Sequence, residues 1–311
     1  SSWVPSAYLL TLAAFQPIYG KISDVFGRKP ILLLAIITFL VGSILCGVAK
    51  NMTWLILARG LAGAGGAGIP AVTMVIVSDL VPLEKRANYF ALVSIIICVS
   101  SIAGPLLGGL FTDRLSWRWC FFFNIPTCCV ILVLIMLLLR LPKPPGKWKD
   151  KFARLDIGGV VIFLSMMVLL LLGLNWGGRE HPWRSALIIA ILCAGGVLIL
   201  AFIVYEHRIP KEPIIPMAIF RTRNAWILLT IYGLIGTVFF TLVFFMPMYF
   251  TIVENASATR SGLYLIALLV PLAVGSTVLG RAISRWGLKR LYVQLGTLLV
   301  VVGTGLATIY G

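Results

Sequence analysis

The stretch GKISDVFGRKP, residues 20–30, separates two apolar segments, residues 1–20 and 31–49. Each segment is long enough to cross a bilayer, which takes a helix of roughly 20 residues. The charged stretch between them is therefore predicted to be a loop on one side of a membrane, placed between two membrane helices.

This loop is predicted to do more than link two spans. Gly20 and Gly27 permit a tight turn against neighbouring backbone. Asp24, Arg28 and Lys29 are arranged so that they can pair with each other and with helix ends. Asp24 and Arg28 are also one helical turn apart, which allows a local ion pair between them.

The same alternation of apolar runs and charged loops continues along the chain. The apolar fraction is 60% and only 12% of the residues are charged, far below the charged fraction of about 25% in soluble domains. The runs predicted to be membrane spans are residues 1–20, 31–49, 52–77, 88–111, 119–139, 157–174, 185–205, 224–250, 261–279 and 291–309. The predicted fold class is an all-α polytopic membrane protein with about ten transmembrane helices.

The net charge of +16 is distributed unequally between the two sides of the membrane. The loops on the side of residues 20–30 hold 19 of the 26 Lys and Arg, the other side holds six, and Arg59 lies inside a span. This asymmetry follows the positive-inside rule and places residues 20–30 in the cytoplasm. A charge of this size would suggest nucleic acid in a soluble protein. Here its sidedness explains it, so we predict a lipid bilayer and no nucleic acid as partner.

Arg59 is the basic residue inside a predicted span. An Arg at a helix centre costs about 2.5–3.5 kcal/mol on the translocon scale, and Arg59 lies about seven residues, or roughly 10 Å, into its helix. The small residues that follow it are Gly60, Gly63, Gly65, Gly66 and Gly68. They let helices approach closely and let an Arg reach a partner. A functional role and a structural role, as an Arg bonded to backbone carbonyls, both remain open.

The fourth predicted span contains AGPLLGG, residues 103–109. Gly104 and Pro105 loosen the helical hydrogen-bond ladder and predict a bend. Gly104 and Gly108, four residues apart, offer a flat face to another helix, and Gly109 extends the small-residue pattern.

Together these motifs resemble the fourteen-helix drug:proton antiporter group of the major facilitator superfamily, particularly its fungal members. Residues 20–30 resemble G-x-x-x-D-x-x-G-R-K, the loop between the second and third helices of the family. The sequence from Arg59 resembles the fourth-helix motif R-x-x-x-G-x-G, and residues 104–109 the antiporters' fifth-helix motif G-P-x-x-G-G. Residues 116–126 are similar to W-R-W-x-F-x-x-N-x-P, which leads into the sixth helix.

The resemblance implies roles for these residues. It implies that Arg59 serves proton coupling, and that the antiporter helix motif is Gly104, Pro105, Gly108 and Gly109. It implies a cytoplasmic gate network of Gly20, Asp24, Gly27, Arg28, Lys29, Asp79 and Arg86. Asp79 closes the span at 52–77, where the family has an acidic partner for the Asp and Arg of the loop. Val25 replaces a basic residue that often follows the Asp in the family, which implies a weaker gate network.

Alignment with this family also divides the chain. The expected parts are an N-terminal bundle without its first helix (1–139), a basic cytoplasmic linker (140–156), an extra central helix pair (157–205), a cytoplasmic loop (206–223) and the start of a C-terminal bundle (224–311). The chain is therefore expected to be truncated at both ends, without the family's first helix and last three helices.

The function that the resemblance implies is alternating-access, proton-coupled efflux of drugs, toxins or similar amphiphilic compounds. The expected partners are a small-molecule substrate, protons and lipid, the expected state is a monomer, and the expected location is the plasma membrane or, alternatively, the vacuolar membrane. A carrier of basic amino acids or iron chelates is one alternative, and an inactive truncated membrane protein is another.

Catalysis is not expected, because the sequence has no HExxH motif, no intramembrane His cluster and no Ser/His pairing. The cysteines lie inside predicted spans without ligand spacing, so we expect no metal and no cofactor. All ten Asp and Glu lie in loops or at helix ends. A proton-coupled antiporter needs an intramembrane group that titrates. Either that carboxylate lies in a missing segment or the protein does not exchange protons.

Overall fold

The structure is a computed structural model that describes residues 3–142, 155–209, 213–215, 220–253 and 289–310, and isolated positions between 266 and 282. The helices of the continuous ranges are α1 (Trp3–Phe26), α2 (Arg28–Gly47), α3 (Met52–Leu80), α4 (Leu83–Arg114), α5 (Trp119–Phe122), α6 (Asn124–Leu138), α7 (Ile157–Trp176), α8 (Ala186–Arg208), α9 (Arg223–Ile252) and α10 (Lys289–Tyr310).

Within the described residues, six helical segments are long and apolar enough to cross a membrane. They are α2, α3, α5 with α6, α7, α8, and α9 as far as Phe250. The predicted all-α, multi-pass fold class is thereby confirmed. The helices α1, α4 and α10 occupy the positions of three further predicted spans. The predicted span at 261–279 lies outside the described residues apart from isolated positions, as does most of the linker at 140–156.

The chain forms two compact units. The first contains Ser1–Ile76 and Phe111–Ile235, and the second contains Val77–Leu110 and Gly236–Gly311. In the first unit, α1 packs against α2 and α7, α2 against α5 and α6, and α7 lies along α8. The helices of residues 1–139 thus fall into both units, and the central pair α7–α8 belongs to the first.

Small residues set the separation of α2 and α3 in the first unit. A Cβ atom at Gly65 would lie 2.7 Å from the Cα atom of Phe39, and one at Gly42 would lie 2.6 Å from the Cα atom of Ala62. Because the backbones are this close, apolar side chains of four helices meet beside them. These buried residues are Tyr19, Ile31, Leu32, Ala35, Ile36, Ala67, Val72, Ile76 and Cys128.

The connection between α1 and α2 is shorter than predicted. The sequence predicts a loop over residues 20–30, but α1 continues through Gly20 to Phe26 and α2 begins at Arg28. Only Gly27 interrupts the helices, at φ +103°, in the left-handed region that favours glycine. Gly20 is helical, so the tight-turn role predicted for both glycines applies to Gly27 alone.

Alanine at these two glycines is expected to have opposite effects on stability. Gly27→Ala places a Cβ at a positive φ, which costs about 1–2 kcal/mol. Gly20→Ala adds a methyl group with no neighbouring atom within 4 Å and removes a helical glycine, a gain of up to about 1 kcal/mol. Thermal unfolding of the two purified variants, followed by size-exclusion chromatography, measures both. Equal midpoints for the two variants would contradict the assignment of the break to Gly27.

Candidate transport site

Arg59 extends from α3 toward α1. Its Nε donates a hydrogen bond to the backbone carbonyl of Val4, at 3.1 Å. Its guanidinium carbon lies 4.3 Å from the centroid of the Tyr8 ring and 5.8 Å from that of Phe121. No carboxylate of the described residues pairs with it. A partly buried guanidinium is thus stabilised by a carbonyl and by aromatic faces, contacts worth about 0.5–2 kcal/mol for each cation–π pair.

The glycines after Arg59 bring two different helices into contact with α3. A Cβ at Gly63 would meet the carbonyl oxygen of Tyr8 and the hydroxyl of Thr11, both on α1. A Cβ at Gly65 would meet the backbone of Phe39 on α2. The motif R-x-x-x-G-x-G therefore places one glycine against each neighbour, and α1 is held close enough for Tyr8 to cover Arg59.

The predicted local pair of Asp24 and Arg28 is present as an ion pair across the break at Gly27. The Nη1 atom of Arg28 also donates to the hydroxyl of Ser23 at 2.8 Å, and this hydroxyl donates to the carbonyl of Gly20 at 2.7 Å. Ser23 is buried. These bonds join the end of α1 to the start of α2 through side chains as well as through the backbone.

Lys29 binds the end of another helix. Its ammonium group donates to the carbonyls of Met136 at 3.0 Å and Leu139 at 2.8 Å. Met136 lies in the last turn of α6 and Leu139 directly follows this helix. Carbonyls at a helix C-terminus have no partner inside their own helix. Lys29 therefore binds the C-terminal end of α6, a contact between residues more than a hundred positions apart that the sequence does not reveal.

We expect Lys29→Gln to lower the stability of the protein by about 1 kcal/mol, because two carbonyls at the C-terminal end of α6 lose a charged donor. Lys50→Gln is the matched control, since Lys50 is exposed at the other end of α2. The midpoints of thermal unfolding of the two variants provide the comparison. A loss of the same size in Lys50→Gln would show that the charge, and not the cap, is responsible.

Asp79 and Arg86 belong to the second unit. Asp79 is exposed in the last turn of α3, and Arg86 lies in the first turns of α4. Arg86 donates to the carbonyls of Ser78 at 2.6 Å and Val81 at 3.0 Å. It thus satisfies carbonyls at the end of α3. The predicted pairing of Asp79 with the loop of the first unit stays a prediction.

The predicted antiporter motif lies within α4, which continues as a helix through Pro105. A Cβ at Gly104, Gly108 or Gly109 would meet no atom within 4 Å. The three glycines therefore give α4 a surface without side chains, and their functional role stays a prediction.

Sequence reasoning missed two buried acids. Asp156, which directly precedes α7, and Glu206, in the last turn of α8, are 9% and 4% exposed. The cytoplasmic loop that is predicted to begin at residue 206 begins only after Arg208. A sequence signal exists for Asp156, because an Asp just before an apolar helix is a typical N-cap, but nothing in the sequence shows that Glu206 is buried.

Comparisons with known proteins identify a family and several relatives of this chain. The family model described as "Major Facilitator Superfamily" matches residues 1–311. The aspyridones efflux protein of Neocamarosporium betae is 38% identical over 99% of this chain and 56% of its own length. The efflux pump aflT of Aspergillus parasiticus is 34% identical over 99% of this chain and 61% of its own length. The chain thus spans little more than half the length of the curated relatives it matches.

A solved structure shares the fold. The human organic anion transporter MFSD10 (TETRAN) superposes with a TM-score of 0.54, at 18% identity, over 90% of this chain and 56% of its own. At this identity the likeness concerns the fold alone.

Proposed function

The chain belongs to the major facilitator superfamily, and from that membership we propose that it serves in proton-coupled efflux of amphiphilic organic compounds, such as drugs or toxic metabolites. The observation that carries the proposal is the similarity of 99% of the chain to proteins named as efflux pumps. These names do not favour the alternative carrier of basic amino acids or iron chelates. Because the family consists of transport proteins, the chain is not an enzyme.

The geometry of α1 supports this proposal. Near its outer end, Val4 and Tyr8 hold Arg59 of α3. At its cytoplasmic end, Asp24 forms the ion pair with Arg28 of α2. One helix therefore contacts both the residue proposed for proton coupling and the residues proposed for the gate. A tilt of α1 would alter both contacts together, as alternating access requires.

Three further features belong to the same proposal. Asp79 belongs to the proposed gate network with Asp24 and Arg28. The glycines of α4 allow the bend of an antiporter's fifth helix. The protein acts as a monomer in the plasma membrane.

Transport in proteoliposomes tests the proposed function. Vesicles containing the intact protein are loaded with a fluorescent lipophilic cation, and a pH gradient is imposed across them. We expect export of the dye that stops when a protonophore collapses the gradient. Vesicles without protein, and vesicles with a membrane potential alone, are the controls. Export that is unaffected by the protonophore would contradict proton coupling, and no export of any amphiphile would contradict efflux.

A further inference from the structure

The first turns of α1 are bonded to the hairpin end of α7 and α8, residues 175–185. Nε1 of Trp3 donates a hydrogen bond to Oε1 of Glu180 at 2.8 Å. Nδ2 of Asn175, in the last turn of α7, donates to Oγ of Ser6 at 2.8 Å. The rings of Trp3 and Trp176 also meet edge to face, with their centroids 6.1 Å apart. Two hydrogen bonds and an aromatic contact thus join α1 to the hairpin end.

The backbone that carries Glu180 is fixed by the turn between α7 and α8. The amide of Gly178 donates to the carbonyl of His181 at 2.8 Å, and the amide of Glu180 donates to the carbonyl of Trp176 at 3.1 Å. Gly178 has φ +74°, in the left-handed region that favours glycine. The indole of Trp183 covers this glycine, because a Cβ there would lie 2.6 Å from its Nε1. The hairpin end therefore presents the Glu180 carboxylate from a closed turn.

The residues of α1 that the hairpin end binds lie on either side of the residue that binds Arg59. Val4, whose carbonyl accepts the hydrogen bond from Nε of Arg59, stands between Trp3 and Ser6 in the sequence. Tyr8, whose ring covers the guanidinium, lies one helical turn after Val4. Since successive turns of a helix are joined by backbone hydrogen bonds, a movement of Trp3 and Ser6 also moves both groups that hold Arg59.

The bond between Arg59 and Val4 tolerates little movement. Its length is 3.1 Å, near the upper end of the range for N–H···O hydrogen bonds, and a contact of about 3.6 Å no longer counts as one. A shift of the Val4 carbonyl by roughly half an ångström away from α3 is therefore enough to lose it. The place of this carbonyl depends on what holds the first turns of α1, and the hairpin end is one of the elements that do so.

We propose that Asn175 and Glu180 are positioning residues for Arg59. They act through Ser6 and Trp3, which keep the first turns of α1 where the Val4 carbonyl and the Tyr8 ring reach the guanidinium. The central pair α7–α8 is then part of the support of the Arg59 site. The use of this support in transport rests on the proposed function, whereas the positioning of Arg59 itself does not.

Chemical labelling of arginine in the intact protein, in lipid nanodiscs, tests this proposal. Phenylglyoxal modifies guanidinium groups, and mass spectrometry of peptides gives the rate at each Arg. We expect Glu180→Ala and Asn175→Leu to speed the labelling of Arg59 at least about threefold, because each removes one hydrogen bond that holds α1. The rate at Arg118, which is bonded to the carbonyl of Ala49 on the far side of α2 in the sequence, is expected to stay unchanged.

Glu180→Gln is the matched control for Glu180→Ala. The amide oxygen of Gln can still accept the hydrogen bond from Trp3, so we expect labelling of Arg59 at the wild-type rate within about twofold. An unchanged rate at Arg59 in both Glu180→Ala and Asn175→Leu would overturn the proposal. The same holds for equal acceleration at Arg59 and Arg118, which would show a general loosening of the protein, and for a Gln variant that labels as fast as the Ala variant.

A double-mutant cycle gives a second measurement that does not depend on the reagent. The midpoints of thermal unfolding are compared for Glu180→Ala, Arg59→Met and the variant with both changes. Contacts that depend on each other are not additive. We therefore expect the double variant to lose less than the sum of the two single losses, because the hairpin bond has no Arg59 contact left to support. Additive losses would overturn the proposal.

Efflux measured on the wild type separates this proposal from the proposed function. Labelling that behaves as expected, in a protein without proton-driven efflux, supports the positioning of Arg59 and contradicts the function. Proton-driven efflux in a protein whose Arg59 labels at the same rate in all the hairpin variants supports the function and overturns the positioning.

Discussion

Gly65→Ala is expected to destabilise the folded protein. A Cβ at this position would lie 2.7 Å from Cα of Phe39 and 2.8 Å from the carbonyl oxygen of Ala35. These are backbone atoms, so no side-chain rotation can relieve the clash and α2 must move away from α3. Overpacking costs about 1–3 kcal/mol even where side chains adapt. We therefore expect the midpoint of thermal unfolding to fall by about 5–10 °C.

Gly60→Ala is the matched control for this prediction. Gly60 lies in the same helix, and the nearest atom to a Cβ there is the methyl carbon of Thr11 at 3.7 Å, an ordinary van der Waals contact. The variant is expected to keep the wild-type midpoint or to raise it slightly. Fluorescence-detected size-exclusion chromatography after a series of heating steps measures both variants. If Gly65→Ala is as stable as Gly60→Ala, the α2–α3 contact is not as close as described.

Arg59→Met is expected to reduce proton-driven efflux at least about tenfold while the protein stays folded. The variant keeps a long apolar side chain but loses the bond to Val4 and the contact with Tyr8. Arg59→Lys is expected to be similarly impaired, because an ammonium group cannot stack on a ring as a planar guanidinium does. Loss of one cation–π contact of about 0.5–2 kcal/mol alone corresponds to roughly two- to thirtyfold.

Substitutions of Tyr8 separate the two roles that remain open for Arg59. Tyr8→Phe keeps the aromatic face and is expected to retain efflux within about twofold, whereas Tyr8→Leu removes that face and is expected to resemble Arg59→Met. Efflux per folded molecule and the yield of folded protein are measured together. If yield and efflux fall in parallel in Arg59→Met, the residue only holds α1 to α3. Full efflux in that variant would contradict both roles.

Much of the fold follows from sequence patterns with a short range. In most cases the helix ends lie within a few residues of the ends of the predicted spans. This agreement arises because a membrane helix ends near the point where the sequence stops being apolar. The ion pair of Asp24 and Arg28 could also be predicted, because the two residues are only four positions apart in the sequence. The glycines after Arg59 predict close helix packing for the same reason, since small side chains permit it in any context.

Contacts over long sequence distances could not be predicted in this way. The carbonyls that Lys29 binds are on α6, and the carbonyl that Arg59 binds is on α1. The sequence shows that Gly63 and Gly65 are small but not which helix each of them faces. It places Asp156 and Glu206 at helix ends, while their burial depends on how α7 and α8 pack against each other and against α1.

The one-residue connection at Gly27 has a mechanical consequence. The two long helices are joined by a single residue and by the bonds of Arg28 to Asp24 and Ser23, so the end of α1 and the start of α2 cannot move far apart. Lys29 extends this rigid joint to the end of α6. A displacement of the C-terminal end of α1 is therefore transmitted to α2 and α6 at once. An inserted residue at this joint would turn α2 by about 100°. The bonds of Arg28 to α1 and of Lys29 to the end of α6 would then be lost.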